Sequence, residues 1–286
     1  MTACDGKSRS CGISGAEGSA SDPKVGADGG RVYYLLRKNG SNVSELWSAD
    51  TASGRASPSL AGVAMVDFDI SKDGRDVAYT ARNGKTDEIF VAPLDASAAP
   101  RMVAKGGDSV SFGPPGELTF REVGAKANYL DRVRLNGGAP ERVLAQTIID
   151  KYAVSPSGAW VAAEGLGASQ RGTCAVPLRG GALKTICSGV YCMPGWSPDG
   201  RFLYITLGRS KVKNARNSSG TTRVFANAPG QELPALPEGG LDGSSGDKMP
   251  KAATIGEGPV EPGPGLETYA FEKSEFSGNL FRIPLH

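Results

Sequence analysis

The sequence predicts an all-β protein, a six-bladed β-propeller of four-stranded antiparallel blades. Turn-forming residues are frequent, since the 286 residues include 40 Gly and 19 Pro. No long stretch carries the apolar period of an α-helix, so little helix is expected. A repeat of turn motifs at constant spacing sets the size of the unit. The length suits one all-β domain.

Four turn motifs recur along the chain: SKDGR at 71–75, GPPGE at 113–117, SPSGA at 155–159 and SPDGR at 197–201. Their glycines are Gly74, Gly116, Gly158 and Gly200, and each follows the previous one by 42 residues. A period of about 40–45 residues is that of one four-stranded propeller blade. We therefore expect the four glycines to occupy equivalent hairpin turns, where φ must be positive.

Short apolar runs around each turn supply the strands of a unit. Around Gly74 one run covers 65–70 and the next covers 77–79. A third strand ends in the motif 92–94 (Ala-Pro-Leu), and a fourth covers 101–104 after a polar turn. Four strands joined in this order make one propeller blade.

Two degenerate copies flank the four clear ones, the first opened by Gly30 and the last by Gly265. The six predicted units of the single domain span roughly 17–60, 61–106, 107–147, 148–189, 190–240 and 250–286. The last unit stops after its third strand, so residues 1–12 are expected to close the ring by pairing with 280–285.

The fifth unit is longer than the others. Its extra residues lie at 211–220, a basic stretch rich in Asn, Ser and Gly, and at 237–265, which is rich in Gly and Pro. Both are predicted to be loops with too little apolar content to pack a core of their own. Lys211, Lys213 and Arg216 form a candidate binding loop, although charged loops are more often simply solvated.

The motifs at 197–201, 155–159 and 71–75, each followed by an alternating strand, resemble the repeats of TolB-type propellers. The motif of the third unit, GPPGE at 113–117, departs from the pattern because it lacks the Asp-Gly pair. The resemblance covers most of residues 20–286. That family includes periplasmic scaffold proteins, sensor domains attached to bacterial kinases and the propeller halves of some peptidases. The resemblance implies a rigid frame whose loops carry the function.

Catalytic and metal-binding residues are not predicted. His286 is the only histidine, which argues against a Ser-His-Asp triad, a Cys-His nucleophile or a histidine-rich metal site. Asp73 and Asp199 fit no calcium loop and are expected to bond their own turn backbones. We also expect no cofactor.

The cysteines are Cys4, Cys11, Cys174, Cys187 and Cys192. If Gly180 and Gly181 form a two-residue turn, Cys174 and Cys187 face each other on adjacent strands, which predicts a disulfide. Cys4 and Cys11, placed symmetrically about 7–8, form a second candidate pair. Two disulfides would favour an oxidising compartment, whereas buried reduced cysteines would say nothing about it.

Charge and hydropathy restrict the partners. The net charge is +2 and the charges are interspersed, which argues against a nucleic-acid or anionic-membrane binder. No apolar run is long enough to span a membrane. The segment after Met1 lacks the apolar core of a signal peptide, so the protein is either cytoplasmic or its export signal lies outside this chain.

The sequence therefore favours a non-catalytic, monomeric binding or scaffold module for a protein or glycan, in the periplasm or outside the cell. The alternatives are a propeller-type hydrolase or lyase, and the sensor domain of a larger bacterial membrane kinase.

Overall fold

A computed structural model describes residues 3–4, 11–12, 18–84, 86–166, 172–208, 220–242 and 248–272. These residues form strands, turns and bends, with no helix among them. Within this part of the chain, accordingly, no helix has the length and apolar character needed to cross a membrane.

Five four-stranded antiparallel sheets, blades one to five, follow one another along the chain, each with its strands in sequence order. Blade one holds β3 (Gly18–Val25), β4 (Arg31–Lys38), β5 (Ser44–Asp50) and β6 (Ala56–Met65). Blade two holds β7 (Asp67–Ile70), β8 (Asp76–Asn83), β9 (Thr86–Pro93) and β10 (Arg101–Lys105). Blade three holds β11 (Gly107–Phe112), β12 (Glu117–Val123), β13 (Asn128–Arg134) and β14 (Glu141–Arg142). Blade four holds β15 (Asp150–Val154), β16 (Trp160–Glu164), β17 (Thr173–Pro177) and β18 (Lys184–Cys187). Blade five holds β19 (Tyr191–Trp196), β20 (Phe202–Gly208), β21 (Thr221–Ala226) and β22 (Ala253–Ile255).

A two-stranded sheet stands where a sixth blade was predicted. It pairs β23 (Val260–Pro262) with β24 (Tyr269–Phe271), and β23 lies between β19 of blade five and β3 of blade one. The first strands of the blades, together with β23, line the centre of the ring. The prediction of six four-stranded blades is therefore wrong for the described residues, which form five. The long insertion moves β22 into blade five, and this strand had been assigned to the sixth unit.

The predicted ring closure by residues 1–12 stays a prediction. The structure pairs β1 (Ala3–Cys4) with β2 (Cys11–Gly12), so that Cys4 stands opposite Cys11 in the backbone register. The expected partner strand, 280–285, lies outside the described residues.

The turn glycines join the first and second strands of blades two to five. Gly74, Gly116, Gly158 and Gly200 have φ values of 70°, 81°, 75° and 72°. A side chain with a Cβ is strained in this left-handed region, whereas glycine is not. In blade one the corresponding left-handed residue is Gly29, with φ 71°, one position before the predicted Gly30.

The hydrophobic core lies between neighbouring blades and is divided into clusters. Leu35 and Leu46 of blade one pack with Val77 of blade two, and all three side chains are at most 2% exposed. Similar clusters join blades two and three, three and four, and four and five. Each fully buried aliphatic side chain contributes about 1.5–3 kcal/mol to the free energy of folding.

The segment 227–242, which we call the strap, packs against blade four. Leu233 and Leu241 are 5% and 0% exposed and pack in the cluster between blades four and five. The amide of Leu241 donates to the Ile186 carbonyl at 2.7 Å, and the Ser188 amide donates to the Leu241 carbonyl at 2.8 Å. The strap thereby covers the outer edge of β18. The sequence predicts for 237–265 a loop without a core of its own, and the structure adds that part of this loop packs into the core between blades four and five.

Glu232 fixes the strap to the turn of blade four. Its carboxylate accepts hydrogen bonds from Ser155 Oγ at 2.7 Å, from the Ser157 amide at 2.8 Å and from Ser157 Oγ at 2.5 Å. The serines of the SPSGA motif thus bind a residue of blade five.

The predicted Cys174–Cys187 disulfide is wrong. Cys187 pairs instead with Cys192, with 6.3 Å between their Cα atoms, and Cys174 is a buried free thiol. The loop after Pro177 is longer than two residues, so Cys174 stands opposite Thr185, and a register irregularity places Thr173 opposite Cys187. The disulfide therefore joins the outer strand of blade four to the inner strand of blade five.

Candidate functional site

Charged side chains of the inner strands interact with one another and with the neighbouring blades. They come from four of the six inner strands: Lys24 from β3, Asp67 and Asp69 from β7, Lys151 from β15 and Glu261 from β23. Each interacts electrostatically with at least one other member. We call this group the channel cluster.

The two carboxylates of β7 bind the backbone of blade three. Asp67 accepts the amides of Ser109 and Val110, each at 3.0 Å, and Asp69 accepts the amide of Phe112 at 2.9 Å. Burial raises the pKa of Asp67 to about 6, against the lowering effect of the two amides. These carboxylates hold two blades together, and Asp67 changes its charge in mildly acid solution.

An ion pair joins the first blade to the last sheet. Lys24 Nζ lies 3.3 Å from Glu261 Oε2, and the two side chains are 29% and 31% exposed. Burial disfavours the charge on Lys24, but the attraction of Glu261 and Asp69 outweighs it and raises the pKa of Lys24. Burial raises the pKa of Glu261, against the attraction of Lys24. The pair closes the ring between β3 and β23.

Lys151 is the most buried cation of the cluster, at 4% exposure. Its Nζ donates to Ser111 Oγ at 2.7 Å and to the Tyr152 carbonyl at 3.4 Å. Burial lowers its pKa to about 8, although the attraction of Asp69 opposes this. The amine is therefore partly neutral near physiological pH, which is unusual for a lysine.

The channel cluster offers proton-transfer groups rather than a metal centre. Among the described residues, no group of three or more His, Cys, Asp and Glu side chains is arranged to hold a metal ion. Burial raises the pKa of Asp67 to about 6 and lowers the pKa of Lys151 to about 8.

A surface groove of about 650 Å³ lies between blades one and two, at the end of the ring that carries the turn glycines. Arg31, Tyr33 and Ser48 line one wall, and Arg75 and Asp76 line the opposite wall. The remaining lining residues are Ser57, Pro58, Ser59, Gly74, Pro93, Leu94, Asp95 and Ser97. The groove therefore offers both signs of charge, several hydroxyl groups and one aromatic ring.

A smaller groove of about 320 Å³ lies in blade three at the same end of the ring. It is lined by Glu117, Arg132, Arg134 and Glu141 among others. Arg132 is already engaged there, since it donates to Glu141 at 2.9 Å and to the Leu178 carbonyl at 3.2 Å. This groove is about half the volume of the first.

The residues predicted from sequence lie mostly away from the channel. Gly74 lines the first groove. Gly200 and Gly158 lie near the strap, where Glu232 lies next to Gly200 and bonds the turn of Gly158. Lys211, Lys213, Arg216 and His286 lie outside the described residues, and only the backbones of Cys4 and Cys11 are described.

The sequence analysis missed the channel cluster. A signal for it was present, because Asp67 and Asp69 interrupt an otherwise apolar strand run. The sequence analysis treats 65–70 only as an apolar strand next to the turn of Gly74. Lys151 and Glu261 carry no comparable signal, since their neighbours in sequence are mixed.

The chain was also compared with known proteins. No protein-family model and no curated protein matches it. Among solved structures it is similar to a putative TolB from Agrobacterium tumefaciens, with a TM-score of 0.62 and 17% identity over 82% of this chain and 83% of that chain. The fold is that of a TolB-like β-propeller.

Two further structures show how widely this TolB-like fold is used. TolB from Acinetobacter baumannii gives a TM-score of 0.58 at 13% identity, over 75% of this chain and 53% of that chain. An oligogalacturonate lyase in complex with manganese gives 0.52 at 13% identity, over 74% of this chain and 63% of that chain. At such identities the likeness shows the fold alone, because one fold serves many functions.

Proposed function

We propose that this TolB-like propeller is a non-catalytic binding module, and that the groove between blades one and two takes an extended segment of a partner protein. The groove carries the proposal, because it is the larger of the two described here and both of its walls carry charged and hydroxyl groups. Grooves held on rigid strands suit recognition, since little ordering is needed on binding.

The lining favours a polypeptide over a glycan. Arg31 and Arg75 bring positive charge, while Asp76 and Asp95 bring negative charge, and the serine hydroxyls can meet backbone amides and carbonyls. Mixed charge gives specificity for a partner with complementary charges. A neutral glycan would use the hydroxyl groups and the Tyr33 ring but not the four charges.

The non-catalytic part rests on the way the channel cluster is used. Asp67 and Asp69 bind blade three, and Lys24 pairs with Glu261. These groups therefore contribute to blade packing and ring closure rather than facing a substrate.

Export to an oxidising compartment belongs to the same proposal. The Cys187–Cys192 disulfide supports it, because disulfides persist mainly in secreted and periplasmic proteins.

Selection from a random peptide display library tests the proposed function. The Arg75 side chain is 83% exposed, so Arg75→Glu should leave the fold intact while reversing one charge of the groove. The matched control is Arg134→Glu, an exposed arginine that lines the smaller groove of blade three.

We expect selected peptides to bind the unmodified protein and Arg134→Glu equally, and to bind Arg75→Glu at least about tenfold more weakly, as loss of a close charge pair predicts. Peptides equally sensitive to both substitutions, or to neither, would contradict the choice of groove. Binding to a glycan array that requires Tyr33 but tolerates Arg75→Glu would support a glycan ligand instead.

A further inference from the structure

Arg31 lines the groove between blades one and two, and one nitrogen of its guanidinium is bonded to the fold. Arg31 is the first residue of β4, and its Nη1 donates to Ser48 Oγ of the neighbouring strand β5 at 3.2 Å. Ser48 is 2% exposed, so this acceptor is held in place. Among the described residues, no carboxylate forms an ion pair with Arg31, and Nε and Nη2 have no hydrogen-bond partner.

Two other arginines show how the Nε–Nη2 edge of a guanidinium is used in this protein. Arg82 donates from Nε and Nη2 to the two carboxylate oxygens of Asp87, at 2.8 and 3.1 Å. Arg121 binds Asp108 in the same way, at 2.7 Å for both bonds. Such pairs are strong because two parallel, charge-assisted hydrogen bonds form at once. Arg31 carries the same edge to the groove without a carboxylate from the described chain.

The carboxylates that lie near Arg31 are engaged in their own turns. Asp50, opposite Arg31 in the register of β4 and β5, accepts the amide and the hydroxyl of Ser53, each at 2.7 Å. Asp28 accepts the amide of Gly30 at 2.8 Å. A carboxylate supplied by a ligand would therefore complete the arrangement that Arg82 and Arg121 already have.

We propose that the groove recognises an acidic side chain of the partner segment, whose carboxylate binds the Nε–Nη2 edge of Arg31. This inference rests on the proposed function, because it names the chemistry of the segment that the same groove takes. Arg75 on the opposite wall adds a second positive charge, and its side chain is 83% exposed with Asp73 at 3.9 Å. The bond to Ser48 favours binding, since a guanidinium already held in place loses less conformational freedom.

The negative charges of the groove favour a carboxylate over a phosphate. Asp76 and Asp95 line the wall that belongs to blade two. A phosphate group carries close to two negative charges near neutral pH, whereas a carboxylate carries one. Because repulsion grows with the charge of the ligand, the two aspartates oppose a phosphate more strongly. The partner segment should therefore present Asp or Glu.

Two random peptide display libraries test this inference on the unmodified protein. One library encodes Asp and Glu at its varied positions and the other excludes both. The peptides are fused through their C-termini, so every carboxylate in a varied position is a side chain. Peptides count as groove binders when Arg75→Glu weakens them, as in the test of the proposed function.

We expect groove binders from the library that contains acidic residues and none from the other. Arg31→Gln should weaken them at least about tenfold. Replacing the contact Asp by Asn, or the contact Glu by Gln, should weaken binding by the same factor and add no further loss in Arg31→Gln. The matched control is Arg37→Gln, which changes an exposed arginine of β4 outside the groove and should leave the affinity unchanged.

Three results would contradict the inference in distinguishable ways. Groove binders of equal affinity from the acid-free library would overturn it and leave the proposed function intact, and so would losses from Arg31→Gln and from the peptide amide that multiply. Tighter binding after the contact acid is replaced by phosphoserine would overturn the choice of a carboxylate. An absence of groove binders from both libraries would contradict the proposed function as well.

Discussion

The strap of blade five makes a quantitative prediction, because Leu241 is fully buried in the cluster between blades four and five. Leu241→Ala removes three carbon atoms from a side chain that is 0% exposed. At about 0.8 kcal/mol per buried methylene, the lost transfer free energy is about 2.4 kcal/mol. The cavity left behind adds to this, so the free energy of unfolding should fall by about 3 kcal/mol.

Leu236→Ala is the matched control. Leu236 belongs to the same segment and packs against the same cluster, but it is only partly buried, so a loss of about 1 kcal/mol is expected. Urea unfolding followed by tryptophan fluorescence measures both variants. Trp196 is a suitable reporter, since its indole N–H donates to the Glu232 carbonyl within the strap.

A loss below about 1 kcal/mol for Leu241→Ala, with an unchanged dependence on urea, would refute the reasoning. In that case residues 227–242 would contribute little to the packing of blades four and five. A large loss for both variants would instead mean that the whole segment is equally packed.

Three other perturbations test the joints of the ring. Glu261→Gln removes the ion pair with Lys24, and because both side chains are partly exposed the free energy of unfolding should fall by about 1 kcal/mol. Amide hydrogen exchange should become faster in β23 and β24. Unchanged exchange in these strands would argue against ring closure by this pair. Asp67 binds a proton more tightly in the folded protein than in the unfolded chain, so its protonation stabilises the fold. This stabilisation is complete below about pH 4 and is lost as the pH rises through about 6. When the pH is lowered from 7 to 5, the free energy of unfolding of the wild type should therefore rise by about 1 kcal/mol relative to that of Asp67→Asn, as measured by urea unfolding. Free energies of unfolding that change with pH in parallel for the two proteins would exclude the raised pKa. Reduction of Cys187–Cys192 with dithiothreitol should lower the free energy of unfolding by about 2 kcal/mol, the value expected for a loop of this size. Urea unfolding of the oxidised and the reduced protein measures the difference. An unchanged unfolding midpoint would show that the bond adds no stability.

The sequence was sufficient for the repeating part of the fold. The 42-residue spacing of Gly74, Gly116, Gly158 and Gly200 predicted four-stranded antiparallel blades, and the structure has them. This succeeds because turn chemistry and strand alternation are local properties that recur in every blade.

The sequence was not sufficient where the outcome depends on a neighbour distant in the chain. Cys174 does not pair with Cys187 because the loop after Pro177 is longer than two residues and places Cys174 opposite Thr185, which leaves Cys187 to pair with Cys192. The burial of Leu241 depends on the uncovered edge of β18. The number of full blades depended on the insertion, which carries β22 back to blade five.

The channel cluster could not be predicted from local sequence patterns, because its members come from strands that are distant in the chain. Lys24 and Glu261 are 237 residues apart in sequence and meet only because the ring closes. Lys151 acquires its unusual environment from Ser111, which belongs to the preceding blade. Single charged residues within strands become informative once the strand is known to be an inner one.

The joints between neighbouring blades are held by different interactions, so they should resist separation to different degrees. Blades four and five share a covalent bond and the strap, so a force applied to either moves both as one rigid piece. Among the described residues, the joint between β23 and β3 is held by packing and by one partly exposed ion pair. If the propeller were pulled open, the joint between β23 and β3 should part first, while the disulfide-linked joint between blades four and five stayed intact.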